Sequence, residues 1–211
     1  VYQRFFKTGT DEYGEGDIFL GLTVPETRAI AKKFTHLTLE EIKYHLQSKF
    51  HEERLTALLI HTDKYQKTKS QEIVNFYLSN TKNVNNWDLV DLSADKILGN
   101  YLIDKEKSIL YNLAKSNNLW ERRIAIISTF AFIKNKQFED TLKISKTLLN
   151  DGHDLIHKAV GWMLREIGKR DQKVLEFFLK QNYNQLPRTT LRYAIERFPE
   201  HLRKKYLKGE I

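Results

Sequence analysis

Cysteine is absent from the 211 residues of this chain. That excludes a disulfide framework, a thiolate zinc site and a cysteine nucleophile. No apolar run approaches the length needed to cross a bilayer, and no signal-peptide pattern opens the sequence, so a cytoplasmic protein without a membrane role is the expectation. Strand-type alternation is nearly missing. The glycine-rich stretch from Thr8 to Gly21 lacks the Gly-Lys-Ser/Thr of a phosphate-binding loop. It carries Asp11, Glu12, Glu15 and Asp17 instead, which argues against a phosphate cradle. What is present is a globular composition: 41% hydrophobic and 12% aromatic residues exclude a disordered chain. The length suits one domain, or one continuous repeat array, over residues 1–211.

Charge is unevenly placed. Residues 1–105 hold 14 Lys and Arg against 15 Asp and Glu, a net of −1, whereas residues 106–211 hold 21 against 12, a net of +9. A basic half suggests a polyanionic partner, with nucleic acid the usual one, although a basic surface kept for solubility is the alternative.

Almost everything after Thr23 reads as helix. Thr23 can cap a helix with Pro25 in its first turn and Glu26 as the reciprocal capping residue. Apolar residues at three- and four-residue steps predict helices over 24–34, 39–48, 51–65, 69–79, 84–98, 104–116, 119–134, 138–149, 154–169, 171–181, 187–197 and 199–207. The breaks fall at Asn80, Asn117-Asn118, Asn150-Asp151-Gly152 and Pro187.

The helices also repeat. Arg54-Leu-Thr-Ala57, Asp88-Leu-Val-Asp91, Arg122-Arg-Ile-Ala125, Lys158-Ala-Val-Gly161 and Leu191-Arg-Tyr-Ala194 have fourth residues spaced 34, 34, 36 and 33 positions apart. A period near 35 with two helices per unit marks an all-α solenoid of the HEAT or TPR kind, about a dozen helices in all. The fourth slot is small in every unit except one, where it is Asp91. A carboxylate in a packing slot costs desolvation unless it faces a groove. The first slot is basic at Arg54, Arg122 and Lys158, so these residues are expected to wall a concave surface into which Asp91 projects. Drift of one repeat toward acid is the plain alternative.

Asp91 lies in the stretch Asn85-Asn-Trp-Asp-Leu-Val-Asp-Leu-Ser-Ala-Asp95. As one continuous helix this places Trp87, Asp91 and Asp95 on one face with Asp88 beside them. An indole among like charges suggests a site for a cationic or sugar-like group, against the simpler reading of a repeat helix with solvated acids. Trp162 follows the small slot Gly161 and is expected near the same surface; Trp120 fits a core or a groove wall. His153 and His157 are one turn apart, but no third ligand accompanies them, so a helix N-terminus after Gly152 is expected rather than a metal site.

Three motifs in order resemble one known family. Asn86-Trp-Asp-Leu-Val-Asp91, Leu119-Trp-Glu-Arg-Arg123 and Lys158-Ala-Val-Gly-Trp-Met-Leu-Arg-Glu166 are similar to signatures of the AlkD family of HEAT-like-repeat DNA alkylation repair glycosylases. The block Phe6-Lys-Thr-Gly9, Glu12-Tyr-Gly-Glu-Gly-Asp17 and Phe19-Leu-Gly21 resembles one branch of it.

The resemblance implies a monofunctional glycosylase of base excision repair, a monomer working without metal or cofactor. It would hydrolyse the N-glycosidic bond of cationic N3- and N7-alkylpurines in duplex DNA without flipping the base. It also implies roles: Asp91 as the catalytic carboxylate, Trp87 and Trp162 as the groove tryptophans, and Arg123 with Arg165 on the DNA backbone, beside the basic Lys158 and Arg122. The family normally has a further helix or two before Phe5-Phe6-Lys7 that grip damaged DNA. Phe5 also stands where some members have Tyr, and Asn86 where another aromatic precedes the tryptophan. A short form would bind and excise weakly. A non-catalytic HEAT-repeat DNA-binding paralogue is therefore the alternative, and a protein–protein scaffold a more remote one.

Overall fold

A computed structural model describes residues 2–211, and among them there is no β-sheet, only an isolated bridge between Ile18 and Phe50. The helices fall into two compact units, one ending at Tyr101 and one starting at Leu102. No helix among the described residues is long and apolar enough to cross a membrane. The boundary nearly coincides with the charge asymmetry: residues 102–211 hold 22 Lys and Arg against 13 Asp and Glu.

The first unit runs α1 (Tyr2–Phe5), α2 (Val24–Lys33), α3 (Leu39–Leu46), α4 (His51–Thr68), α5 (Gln71–Ser79) and α6 (Trp87–Asp91), followed by a π-helical turn (Asp95–Gly99) and α7 (Asn100–Leu102) across the boundary. Its centre is α4, against which α2, α3, α5 and the π turn all pack. α2 begins as the sequence predicts, with Thr23 and Glu26 forming a reciprocal capping box and a proline in the first turn. α3 repeats the device with Thr38 and Glu41.

The second unit runs α8 (Ser108–Leu113), α9 (Leu119–Ser128), α10 (Phe130–Lys134), α11 (Glu139–Leu148), α12 (Asp154–Gly168), α13 (Gln172–Asn182), α14 (Arg188–Ala194) and α15 (Glu200–Lys208). Here α12 is central, touching α9, α10, α11, α13 and above all α14. The small slots do what the repeat suggests. Ala125 and Ala194 are fully buried, and a Cβ on Gly161 would fall 2.5 Å from Tyr193 Cβ and 2.7 Å from Thr190 O, so only glycine admits α14 at this distance.

Two predicted helices are broken. The span 84–98 is not one helix, because α6 stops at Asp91 and the backbone restarts as a π turn at Asp95. The break falls at Ser93: its hydroxyl donates to Leu89 O at 2.6 Å and lies 3.0 Å from the Tyr77 hydroxyl, while its amide turns to Val90 O, three residues back. The Gly99 amide then reaches back five residues to Ala94 O. The predicted common face is lost with it, because Asp95 is buried in the π turn and Asp88 turns inward. The span 119–134 divides in the same way at Thr129, whose hydroxyl donates to Ile126 O at 2.7 Å.

Candidate active site

Trp87 and Asp91 occupy one face of α6, four positions apart, and both line a cavity of about 390 Å³ in the first unit. Each is half-buried. Asp91, the exception among the repeat's small slots, therefore opens onto a cavity, whereas its counterparts Ala125 on α9 and Ala194 on α14 are fully buried.

The opposite wall is aromatic and comes from the N-terminal segment. Phe6 stacks on Trp87 with centroids 5.2 Å apart, and Phe19 stacks on Phe6 at 4.6 Å. Phe5 stands edge-on to Trp87 and is 63% exposed at the rim. Glu52 holds this wall in place. Its carboxylate accepts the amides of Leu20, Gly21 and Leu22 at 2.9, 2.8 and 3.2 Å, gathering the glycine-rich loop onto α4. Gly21, at φ +95°, gives that turn its left-handed residue.

Beneath the cavity lies a buried polar cluster. His51 sits between two acids, with Nδ1 3.3 Å from Asp17 Oδ2 and Nε2 2.8 Å from Asp88 Oδ2. Arg54 donates from Nη2 to Asp17 Oδ1 at 2.5 Å and from Nη1 to Ser48 O at 2.8 Å. Burial alone would depress His51, but its hydrogen bonds to Asp17 and Asp88 outweigh that and raise its pKa above the ordinary 6.5. For Asp17, burial opposes ionisation, and the bond from His51 with the Arg54 charge brings its pKa below 3.8. Arg54, expected on a basic wall, is instead an internal counter-ion with 5% exposure.

The other candidates belong to the second unit. Lys158, Trp162 and Arg165 recur at four- and three-residue steps on one face of α12, all partly exposed. Lys158 pairs with Asp154 at 2.8 Å, Arg165 pairs with Glu196, and Trp162 lies 6.0 Å from the Phe130 ring. The two preceding arginines hold backbone. Arg122 engages Asp151 through Nε at 2.6 Å and the Ser116 and Asn117 carbonyls through Nη1, while Arg123, 5% exposed, donates to Leu155 O at 2.6 Å. Trp120 is core. His153 accepts the Leu155 amide at the start of α12, and His157 Nε2 bonds Asp151 O, so both serve the helix terminus.

The sequence reading missed the aromatic wall and the polar cluster. The acids, imidazole and amide of the cluster lie 34 to 69 positions apart, as in Asp17 with His51 and with Asn86, and Phe6 meets Trp87 from 81 positions upstream, all beyond the reach of any helical spacing. The visible signal was the density of Phe and acidic residues around the glycine-rich loop.

A family model described as DNA alkylation repair enzyme matches residues 1–198. Solved structures share the fold. A predicted DNA alkylation repair enzyme from Enterococcus faecalis is 19% identical, with a TM-score of 0.73 over 89% of this chain and 92% of that one. AlkD2 from Streptococcus mutans is 19% identical, at 0.64 over 89% and 95%. The smu.31 protein of Streptococcus mutans UA159 is 20% identical, at 0.63 over 84% and 93%. A comparison with curated proteins gives no match.

Proposed function

The chain belongs to the family of DNA alkylation repair enzymes, and from that membership we propose that it is a monofunctional DNA glycosylase releasing cationic N3- and N7-alkylpurines from duplex DNA. The observation that supports this reading most is Asp91: a carboxylate in a slot that four sister repeats keep small, opening with Trp87 onto an aromatic cavity.

The chemistry asks little else of the protein. An alkylated purine is already positive, so it departs as a neutral base when the glycosidic electron pair moves onto its ring nitrogen, and no general acid is needed. The deoxyribose is left as an oxocarbenium ion. Asp91 stabilises that charge and accepts the proton of the water that adds to the anomeric carbon. The indole face of Trp87, beside Asp91, favours the cationic lesion and the sugar C–H groups, and Trp162 in the second unit offers a further aromatic contact to DNA. Lys158 and Arg165 take phosphates, with Arg122 and Arg123 fixing the backbone that carries α12. The lesion is processed while stacked in the duplex, unlike substrates of base-extruding enzymes. The chain acts as a cytoplasmic monomer, with residues 1–211 working as one repeat domain and no cofactor.

Incubation with N-methylated duplex DNA tests the reading. Free methylpurine and abasic sites are the expected products, while salt-dependent duplex binding with no released base would mean a DNA-binding paralogue instead.

A further inference from the structure

The loop acid Asp17, the imidazole of His51 and the first-turn acid Asp88 meet in a cluster that the excision chemistry does not use. Both ring nitrogens of His51 face carboxylate oxygens, Asp17 Oδ2 on one side and Asp88 Oδ2 on the other. A neutral imidazole donates from one nitrogen only and would turn a lone pair on the second carboxylate, whereas an imidazolium donates to both. His51 is 1% exposed and each of its ring nitrogens already faces a carboxylate oxygen, so a neutral ring leaves one of those contacts unmade in a buried setting. Charged groups around it are Asp17 from the loop, Asp88 from α6, and Arg54 on its own helix. Glu52, next along α4, is turned to the loop amides, and the residue following α1 lays the Phe6 ring against the imidazole.

This cluster is wired to the site by two routes. Asp17 Oδ2 also accepts from Asn86 Nδ2 at 3.1 Å, and Asn86 Oδ1 accepts the Trp87 amide at 2.8 Å, capping α6. Asp88, fixed by His51, is the next residue after Trp87. The second route is a stack: His51 on Phe19 at 4.5 Å, Phe19 on Phe6, and Phe6 on Trp87. His51 therefore grips both the polar and the aromatic side of the tryptophan.

We propose that charged His51, clamped between Asp17 and Asp88, is a positioning residue that sets the start of α6 and so presents Trp87 and Asp91 to the substrate. Loss of its proton leaves one buried carboxylate facing a lone pair and slackens both routes. The catalytic meaning of this rests on the glycosylase reading; the coupling of His51 to Trp87 does not.

The test separates the two. The protein has three tryptophans, so 5-fluorotryptophan labelling gives three fluorine resonances, and the one lost in Trp87→Phe reports the site. In the parent protein this resonance is expected to shift with pH through one transition above the ordinary imidazole value of about 6.5. In Asp17→Asn the transition is expected about one pH unit or more lower, because an anion beside the ring is gone. His51→Gln is expected to abolish it and to lower the single-turnover excision rate while duplex affinity stays unchanged. Excision by the parent should fall along an alkaline limb at the same midpoint as the resonance, and the limb should vanish in His51→Gln. A Trp87 resonance that ignores pH across this range, or a midpoint unmoved by Asp17→Asn, overturns the proposal. Absence of excision at every pH, with the resonance titrating as described, sinks the glycosylase reading and leaves the positioning intact.

Discussion

Gly161 offers a stability prediction whose size can be worked from distances. Replacing it with alanine puts a methyl 2.5 Å from Tyr193 Cβ, 2.7 Å from Thr190 O and 3.2 Å from Thr190 Cα. Two of the three obstacles are α14 backbone, which no rotamer change can remove. The helices must separate, and overpacking of this kind costs about 1–3 kcal/mol. Alanine returns about 1 kcal/mol of helix propensity over glycine. With the clash at the upper end, Gly161→Ala should lose about 2 kcal/mol, or about 1 M in urea midpoint at an m-value near 2 kcal/mol/M. Far-UV circular dichroism during urea titration measures it. Gly152→Ala serves as the control, because nothing lies within 4 Å of a Cβ there. A Gly161→Ala protein as stable as its parent would refute the claim that this slot is small because α12 and α14 need it to be.

Three further outcomes are expected. Asp151→Ala removes the carboxylate that holds Arg122 and the His153 amide, leaving a guanidinium that is 19% exposed, and denaturant titration should show a loss of about 3 kcal/mol; a loss below about 1 kcal/mol would put the pair among ordinary surface ion pairs. Burial holds His61 neutral, with its pKa depressed to about 4 from 6.5, so the unfolded chain binds the extra proton between those values and stability falls as pH drops through that window. The contribution is about 3 kcal/mol at 1.36 kcal/mol per unit, and His61→Gln should flatten that part of the stability–pH curve. Arg165→Ala should weaken duplex binding for all sequences alike and reduce the slope of log affinity against log salt by about one; an unchanged slope would remove Arg165 from the phosphate contacts.

Helix positions and the repeat were legible because their causes are local. Thr23 with Glu26 announces α2, and the recurrent small residues Ala57, Ala125, Gly161 and Ala194 mark where helices touch. The breaks at Ser93 and Thr129 were not legible, because a hydroxyl that turns back on the helix looks in sequence like one facing solvent. Asp91 could be singled out because it violates a pattern. Asp88 could not be told from it by spacing: both acids border the cavity, but only Asp88 is buried against His51, a partner 37 positions upstream on α4. Likewise Arg54 and Arg122 share a repeat slot, yet each is claimed by an acid from a neighbouring connection, Asp17 and Asp151 respectively.

The central claim is that the Asp91 carboxylate carries out base release. Its most direct test is single-turnover liberation of 7-methylguanine from a methylated duplex, measured for the parent and for Asp91→Asn alongside duplex affinity. The parent should release the base, the variant should do so at least a hundredfold more slowly (about 3 kcal/mol of transition-state stabilisation), and the two should bind duplex with nearly equal affinity. Release by Asp91→Asn at the parental rate would contradict the claim.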